Sequence, residues 1–226
     1  MTEAVFQRIG ATAAVILAIS SILYAVSFLA ITPADQRKDD ADKFFQSFAD
    51  KPAGRQLANV FFVTGGLAGA WAVFALSRRL QPSGESGAMF ISTVGVVANL
   101  ASAAYGFWNL SRLHELSKLY TTAANRPAIE VAFHQPAPLD PLGVFRFAGA
   151  GLVVALFGLL ILKNDGWPRL LGWLGILLGI DMLVLFAVSW AGSGALTVLT
   201  GALASLIMLP VFWCWAGFRM WSTIQS

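Results

Sequence analysis

Charged residues are scarce in this sequence. Only 12% of its 226 residues are Asp, Glu, Lys or Arg, whereas a soluble domain has about 25%. Hydrophobic residues make up 57% of the chain, and the mean hydropathy is +0.70. Too few polar side chains remain to cover a surface that faces water, which excludes a soluble enzyme and a disordered chain. The class that remains is a polytopic membrane protein.

Cysteine and histidine are also rare. Cys214 is the only cysteine, so a disulfide scaffold and a dithiol redox cycle are excluded. His114 and His134 are the only histidines and lie in one predicted loop. This excludes a bis-histidine haem within the membrane and an intramembrane Ser–His protease. These histidines and the nearby Glu115 and Glu130 fit no standard metal-site spacing.

Other motifs of ligand chemistry are missing as well. The sequence contains no Gly-x-x-x-x-Gly-Lys loop for a nucleotide and no His-Glu-x-x-His motif for zinc. Its basic residues form no stripe of the kind that binds nucleic acid. We therefore expect no metal, no cofactor and no nucleic-acid partner, and the lipid bilayer is the first expected partner.

Long apolar stretches are what the chain has instead. A helix needs about 20 apolar residues to cross a hydrocarbon core of roughly 30 Å. Six stretches meet this requirement: residues 10–32, 56–77, 87–109, 143–163, 169–191 and 194–218. None alternates in polarity like a barrel strand. The sequence predicts an all-α polytopic membrane protein, in which residues 1–226 form a single bundle of six transmembrane helices.

The ends of the predicted helices follow from local sequence. The first apolar stretch is longer than the core of a signal peptide, so we expect it to be retained as a helix. Thr32-Pro33 ends it, because proline lacks an N–H group and clashes with the preceding turn. Residues 81–84 predict a turn after the second helix. Asn164-Asp165-Gly166 predicts a tight connection that makes the fourth and fifth helices antiparallel neighbours.

Two longer loops contain amphipathic segments. In residues 33–55, three phenylalanines share one helical face: Phe44, Phe45 and Phe48. In residues 110–142, an i, i+3, i+7 spacing groups three apolar side chains: Leu113, Leu116 and Tyr120. These patterns predict two short interfacial helices. The pattern leaves open whether they lie on the membrane surface or pack over the bundle as a cap.

The membrane orientation is not fixed by the basic residues. An even number of spans places both termini on one side of the membrane. That side then holds six Lys and Arg residues, and the opposite side holds nine. Taken literally, the positive-inside rule favours external termini. The short connections on the terminal side are nevertheless basic for their length.

Asp181 is the residue that most needs an explanation. It lies near the middle of the fifth predicted span, where a carboxylate costs about 2.5–3.5 kcal/mol on insertion scales. Helical geometry places it about 150° from the glycine stripe of the same helix. Its predicted partners are Arg146, Asn99 or Tyr105, and Asn59 is a further polar candidate. Three roles stay open: a structural hydrogen bond between helices, a proton or cation relay, and a contact with a substrate.

Small residues predict where helices pack closely. Gly172, Gly175 and Gly179 fall on one stripe of the fifth span, and Gly65 and Gly69 form a GxxxG pair in the second. Both patterns are typical of close packing between membrane helices. In the sixth span, Pro210 frees a backbone carbonyl and predicts a bend.

Three segments resemble a known family. These are the opening Gln-Arg-Ile-Gly-Ala, the run Trp-Pro-Arg-Leu-Leu-Gly-Trp-Leu-Gly-Ile-Leu-Leu-Gly at 167–179, and the closing Trp-Ala-Gly-Phe-Arg-Met-Trp at 215–221. The chain resembles an uncharacterised bacterial family of six-helix membrane proteins, domain of unknown function 4386, over nearly its whole length. The resemblance implies a six-helix fold, the bacterial inner membrane and cytoplasmic termini. It implies no site residues and no activity.

Three functions remain open at this point. A non-enzymatic accessory or structural subunit, with a membrane-protein partner or a second copy, needs only packing seams and few intramembrane charges. A small proton- or solute-coupled transporter would use Asp181, although the sequence has no clear inverted repeat. An enzyme at the lipid interface would depend on Asp39, Asp40 and Asp42 or on the two histidines, whose spacing is not catalytic. We expect the first.

Overall fold

A computed structural model describes residues 2–30, 41–50, 52–80, 85–122 and 126–222 of this chain. Helices are the only regular elements in these ranges, which confirms the predicted all-α class. The α-helices are α1 (Glu3–Leu29), α2 (Ala41–Asp50), α3 (Pro52–Leu80), α4 (Glu85–Thr122), α5 (Arg126–His134), α6 (Ala150–Leu162), α7 (Arg169–Trp190), α8 (Gly194–Leu203) and α9 (Leu209–Ser222). Two π-helical segments, Val144–Gly149 and Ala204–Met208, directly precede α6 and α9.

Six helical stretches are long and apolar enough to cross a membrane, as predicted. They are Glu3–Leu29, Pro52–Leu80, Met89–Tyr120, Val144–Leu162, Arg169–Trp190 and Gly194–Ser222. The first begins seven residues before the predicted start. The third continues well past residue 109, because the amphipathic segment that follows prolongs the same helix. The predicted ends at Thr32-Pro33 and residues 81–84 lie outside the described residues, as do Asp39 and Asp40.

The bundle has two different ends. The starts of α1, α4 and α7 lie at one end, which we call the terminal end. The short helices α2 and α5 lie at the other, which we call the capped end. Within the bundle, α3 packs between α1 and α4, α6 packs on α7, and α9 returns to pack against α1. The main core is therefore shared by all six spans.

The capped end is covered by a second hydrophobic cluster. Phe44 and Phe45 of α2 contact Phe133 of α5, with ring centroids 4.5 and 5.1 Å apart. Phe45 also stacks on Tyr120 at 4.6 Å, and the Tyr120 hydroxyl donates a hydrogen bond to Asp42. The first predicted short helix is α2, but the second one is wrong as a separate element, and the short helix of that loop is α5 instead. Helices α2 and α5 pack together as a cap. Leu113, Leu116 and Tyr120 lie on the extension of α4, so the cap rests on a spanning helix.

The glycine stripe of α7 faces α6. A Cβ atom built on Gly179 would lie 2.5 Å from the carbonyl oxygen of Gly151 and 2.6 Å from the Cβ of Ala155. Gly172 and Gly175 make similarly close approaches to Gly158. The backbones of the two helices can approach this closely only because side chains are absent along the seam.

The GxxxG pair of α3 also faces inward. A Cβ atom on Gly65 would lie 3.2 Å from the Cβ of Ser20 in α1, and one on Gly69 would overlap the side-chain amide of Asn99 in α4. These two glycines therefore pack α3 against α1 and α4 within the chain.

Candidate functional site

Two adjoining cavities lie in the capped half of the bundle. One, of about 300 Å³, lies directly beneath α2 and α5, and we call it the cap cavity. The other, of about 250 Å³, lies deeper among the spanning helices, and we call it the bundle cavity. Four residues line both cavities and form the junction between them: Tyr24, Phe28, Phe62 and Arg146.

Arg146 forms a buried ion pair at this junction. Its Nε lies 3.2 Å from Oδ2 of Asp140, and the two side chains are 7% and 3% exposed. Its Nη2 donates to the backbone oxygen of Asp140 at 3.1 Å. The guanidinium carbon also lies 3.7 Å from the centre of the Tyr105 ring, a cation–π contact. The arginine is therefore fixed in position, and its charge is compensated.

Local backbone conformation places Asp140 for this role. Its φ is 53°, in the left-handed region that aspartate tolerates better than most residues. Its two carboxylate oxygens accept hydrogen bonds from the backbone N–H groups of Phe145 and Arg146, at 3.1 and 2.9 Å. These groups open the π-helical turn, where backbone donors have no partner within the helix. One carboxylate thus caps the fourth span and neutralises Arg146. π-Helical turns in longer helices occur frequently at functional sites.

Arg112 brings a second guanidinium to the cap cavity. Its Nη1 donates to the backbone oxygen of Gln135 at 3.0 Å, and its guanidinium carbon lies 4.2 Å from the centre of the Trp108 ring. Its Nη2 is buried and has no hydrogen-bond partner in the part of the chain that the structure describes. A buried, charged donor left unsatisfied costs free energy, and an anionic ligand would remove that cost.

Arg55 is the third arginine of the cap cavity. It lies in the first turn of α3, and its guanidinium carbon is 4.0 Å from the centre of the Phe44 ring in the cap. The arginines therefore reach the cavity from three separate spans. Among the described residues that line the cap cavity, none is an aspartate or a glutamate. Asp140 compensates Arg146, and the lining residues that the structure describes include three arginines and no carboxylate, a balance that favours a negatively charged ligand.

The bundle cavity has a different character. Its walls are mostly aliphatic and aromatic, with a few neutral polar side chains that include Ser20, Ser21 and Asn99. Ser21 donates to the backbone oxygen of Ser205 at 3.0 Å, in the second π-helical segment. Both π-helical segments therefore border this cavity. Two of its lining residues, Leu29 and Val198, are 47% and 42% exposed, so the cavity reaches the lipid-facing surface between α1 and α8.

The residues singled out from the sequence are only partly brought together. Asn59 and Tyr105 line the cap cavity, Asn99 lines the bundle cavity, and Arg146 lies at the junction. Asp181 lines neither cavity. Its Oδ2 is buried with no hydrogen-bond partner in the described ranges, and Arg146 is paired with Asp140 instead. The hypothesis that Asp181 pairs with Arg146 is therefore wrong.

Asn59 and Asn99 each donate to a backbone carbonyl one turn earlier in their own helix. The distances are 3.0 Å to Arg55 and 2.8 Å to Gly95. Their side-chain oxygens are not used by these bonds. Neither asparagine bonds to Asp181 in the described part of the chain.

The histidines do not form a metal centre with the residues that the structure describes. His114 and Glu115 are exposed on the extension of α4. Within the described ranges, no group of three His, Cys, Asp or Glu side chains is close enough to hold a metal ion. His134 lines the cap cavity beside Gln135.

Sequence reasoning missed Arg55, Arg112 and Asp140 as site residues. The first two fall outside the predicted spans, because hydropathy ends a span where charged residues begin. One signal was present, since Arg55 directly precedes the stretch 56–77 and Arg112 lies about one turn beyond the stretch 87–109, at the same predicted side of the membrane. Asp140 gave no signal, because its role depends on a turn conformation.

No family model, curated protein or solved structure matches this chain.

Proposed function

We propose that this integral membrane protein binds a ligand with an oxyanionic group, a carboxylate or a phosphate, in the cap cavity. The observation that supports this most directly is the buried Nη2 of Arg112, which has no hydrogen-bond partner among the described residues. Arg112 lines the cap cavity together with Arg55 and Arg146, and the described lining residues include no acidic residue.

The chemistry of arginine favours this class of ligand. A guanidinium offers a planar fork of N–H donors that matches the oxygens of a carboxylate or a phosphate. Trp108 and the Gln135 carbonyl hold the Arg112 fork before the ligand arrives. Less conformational entropy is therefore lost on binding. Asn59 and Tyr105 add neutral polar groups to the same cavity.

The test is binding of decyl phosphate to the protein in a neutral detergent, followed by native mass spectrometry. Decanol, which has the same chain without the charge, is the matched probe. We expect decyl phosphate to bind and decanol to bind far more weakly. Arg112→Gln should weaken decyl phosphate binding roughly tenfold or more, because a charged hydrogen bond contributes about 1.5–3 kcal/mol.

Arg169→Gln is the control variant. Arg169 is exposed at the terminal end and lines neither cavity, and its substitution removes the same charge. It should bind decyl phosphate like the unaltered protein. Equal binding of decanol and decyl phosphate, or equal losses in the two arginine variants, would contradict the proposal.

The other predicted functions rank below this one. An accessory or structural subunit with a protein partner or a second copy stays a prediction, and so does an enzyme at the lipid interface. A transporter that uses Asp181 to contact its substrate has less support, because Asp181 lines neither cavity. An oxyanion site is compatible with a carrier that moves its ligand, and uptake assays with decyl phosphate in vesicles would test that role.

We also propose the bacterial cytoplasmic membrane as the location, with both termini in the cytoplasm. The six candidate spans support a multi-pass membrane protein. The family resemblance supports the rest, and membership of that family remains a prediction. In this orientation the cap cavity faces away from the cytoplasm. Cysteine labelling of single-cysteine variants, at Gly87 and at His114, would test the orientation.

A further inference from the structure

We infer that the ligand is a single-chain amphiphile, whose oxyanionic head binds in the cap cavity and whose alkyl chain lies in the bundle cavity. This inference rests on the proposed function for the head group and adds the class of molecule. It is supported by the continuity of the two cavities, by the contrast in their walls and by the opening of the bundle cavity toward lipid.

The junction joins a charged chamber to an apolar one. Tyr24, Phe28 and Phe62 line both cavities, so aromatic walls continue from one into the other. Arg146 lies at the same junction, where Asp140 compensates its charge. An alkyl chain that passes this point therefore meets aromatic faces and a neutralised ion pair. Arg112, whose Nη2 has no hydrogen-bond partner among the described residues, lines the cap cavity but not the bundle cavity.

The size of the bundle cavity fits one chain. An apolar protein cavity of about 150 Å³ accommodates benzene, which has six carbon atoms. At the same packing, the bundle cavity of about 250 Å³ accommodates roughly ten carbon atoms. That is enough for one chain of medium length and too little for the two chains of a phospholipid.

The entrance fits a molecule that arrives from the bilayer. Leu29 of α1 and Val198 of α8 line the bundle cavity and are also exposed on the outside of the bundle. Helix α8 has no buried residues, and among the spanning helices it packs against α7 rather than against α1. An amphiphile can therefore enter sideways between α1 and α8, with its head at the capped end of the membrane.

Gly201 gives a direct test of the chain site. It lines the bundle cavity, and a Cβ atom there would meet only Leu185, at 3.8 Å. Gly201→Leu therefore extends a side chain into the cavity without a backbone clash, and leucine favours the helix more than glycine does. We expect it to weaken decyl phosphate binding at least tenfold. Gly194→Leu, on the same helix where nothing lies within 4 Å, should leave binding unchanged.

Photolabelling keeps the test independent of how the variants fold. A decyl phosphate analogue with a diazirine at the end of its chain is bound to the unaltered protein and irradiated. We expect labels on residues that line the bundle cavity, such as Met182 and Thr197. Labels confined to lipid-facing residues of α7, such as Leu177 and Val184, would overturn the inference.

The two proposals fail in different ways. If Arg112→Gln weakens decyl phosphate binding but Gly201→Leu behaves like Gly194→Leu, the head site stands and the chain site is wrong. If Arg112→Gln has no effect beyond that of Arg169→Gln, the oxyanion site itself is wrong, and the chain inference falls with it.

Discussion

Nε of Arg146 lies 3.2 Å from Oδ2 of Asp140, and both side chains are more than nine-tenths buried. The two residues are six positions apart, so this ion pair is local and forms where the fourth span begins. Because the same carboxylate also accepts two backbone N–H groups, Asp140 ties the arginine to the opening of its own helix. The junction of the two cavities is thereby held rigid and without net charge.

Substitution of Asp140 should be strongly destabilising. Asparagine tolerates the left-handed conformation, so Asp140→Asn changes the charge and leaves the turn intact. It leaves Arg146 buried without a counter-charge, and loss of one partner of a buried pair costs about 3–5 kcal/mol. We expect the free energy of unfolding to fall by about 3 kcal/mol, measured by denaturant titration of the protein in detergent.

The control for this pair is the exposed ion pair of Glu3 and Arg78. Its atoms are 2.9 Å apart, but about half of each side chain is exposed. Glu3→Gln should therefore change the free energy of unfolding by less than about 1 kcal/mol. If Asp140→Asn and Glu3→Gln lower the free energy of unfolding by similar amounts, the buried ion pair contributes no more to stability than the exposed one, which would contradict the prediction.

The spans could be predicted from the sequence because hydropathy depends on composition over about 20 residues. The seam of Gly172, Gly175 and Gly179 could be predicted for a similar reason, since helical periodicity fixes which residues share a face. Both are properties of a single helix. Predicting them does not require knowing which helices are neighbours.

The cavities could not be predicted in this way. Arg55 lies at the start of α3 and Arg112 near the end of α4, and hydropathy alone cannot show that these two ends line one chamber. Asp140, the partner of Arg146, could not be predicted for a different reason. Asp140 is close in sequence, but it faces the arginine only because its backbone adopts a positive φ. Helical periodicity carries no information about such a turn.

Asp181 should be dispensable for ligand binding. It lines neither cavity, and its Oδ2 is buried without a hydrogen-bond partner in the described part of the chain. An unsatisfied buried polar group costs about 1–3 kcal/mol, so Asp181→Leu should raise the thermal unfolding temperature. Decyl phosphate affinity should stay the same. A loss of stability, or a loss of binding, would restore a structural or functional role for the carboxylate.

Gly179 should be intolerant of even a methyl group. Its Cβ would lie 2.5 Å from a carbonyl oxygen of α6, and backbone cannot move aside as a flexible side chain can. We expect Gly179→Ala to lower the free energy of unfolding by about 1–3 kcal/mol. Gly87→Ala is the matched control, because Gly87 is also helical and has nothing within 4 Å. It should be neutral or stabilising by up to about 1 kcal/mol.

Phe45 should hold the cap closed over its cavity. The ring is fully buried and contacts both Tyr120 of α4 and Phe133 of α5. Phe45→Ala leaves a void between the three helices, and loss of a buried phenylalanine costs about 3–5 kcal/mol locally. Amide hydrogen exchange should therefore become faster in α2 and α5, with the spanning helices unchanged. Phe90→Ala, which removes an exposed ring near the terminal end, should leave exchange in the cap as it was. Unchanged exchange in α5 of the Phe45 variant would mean that other contacts keep the cap in place.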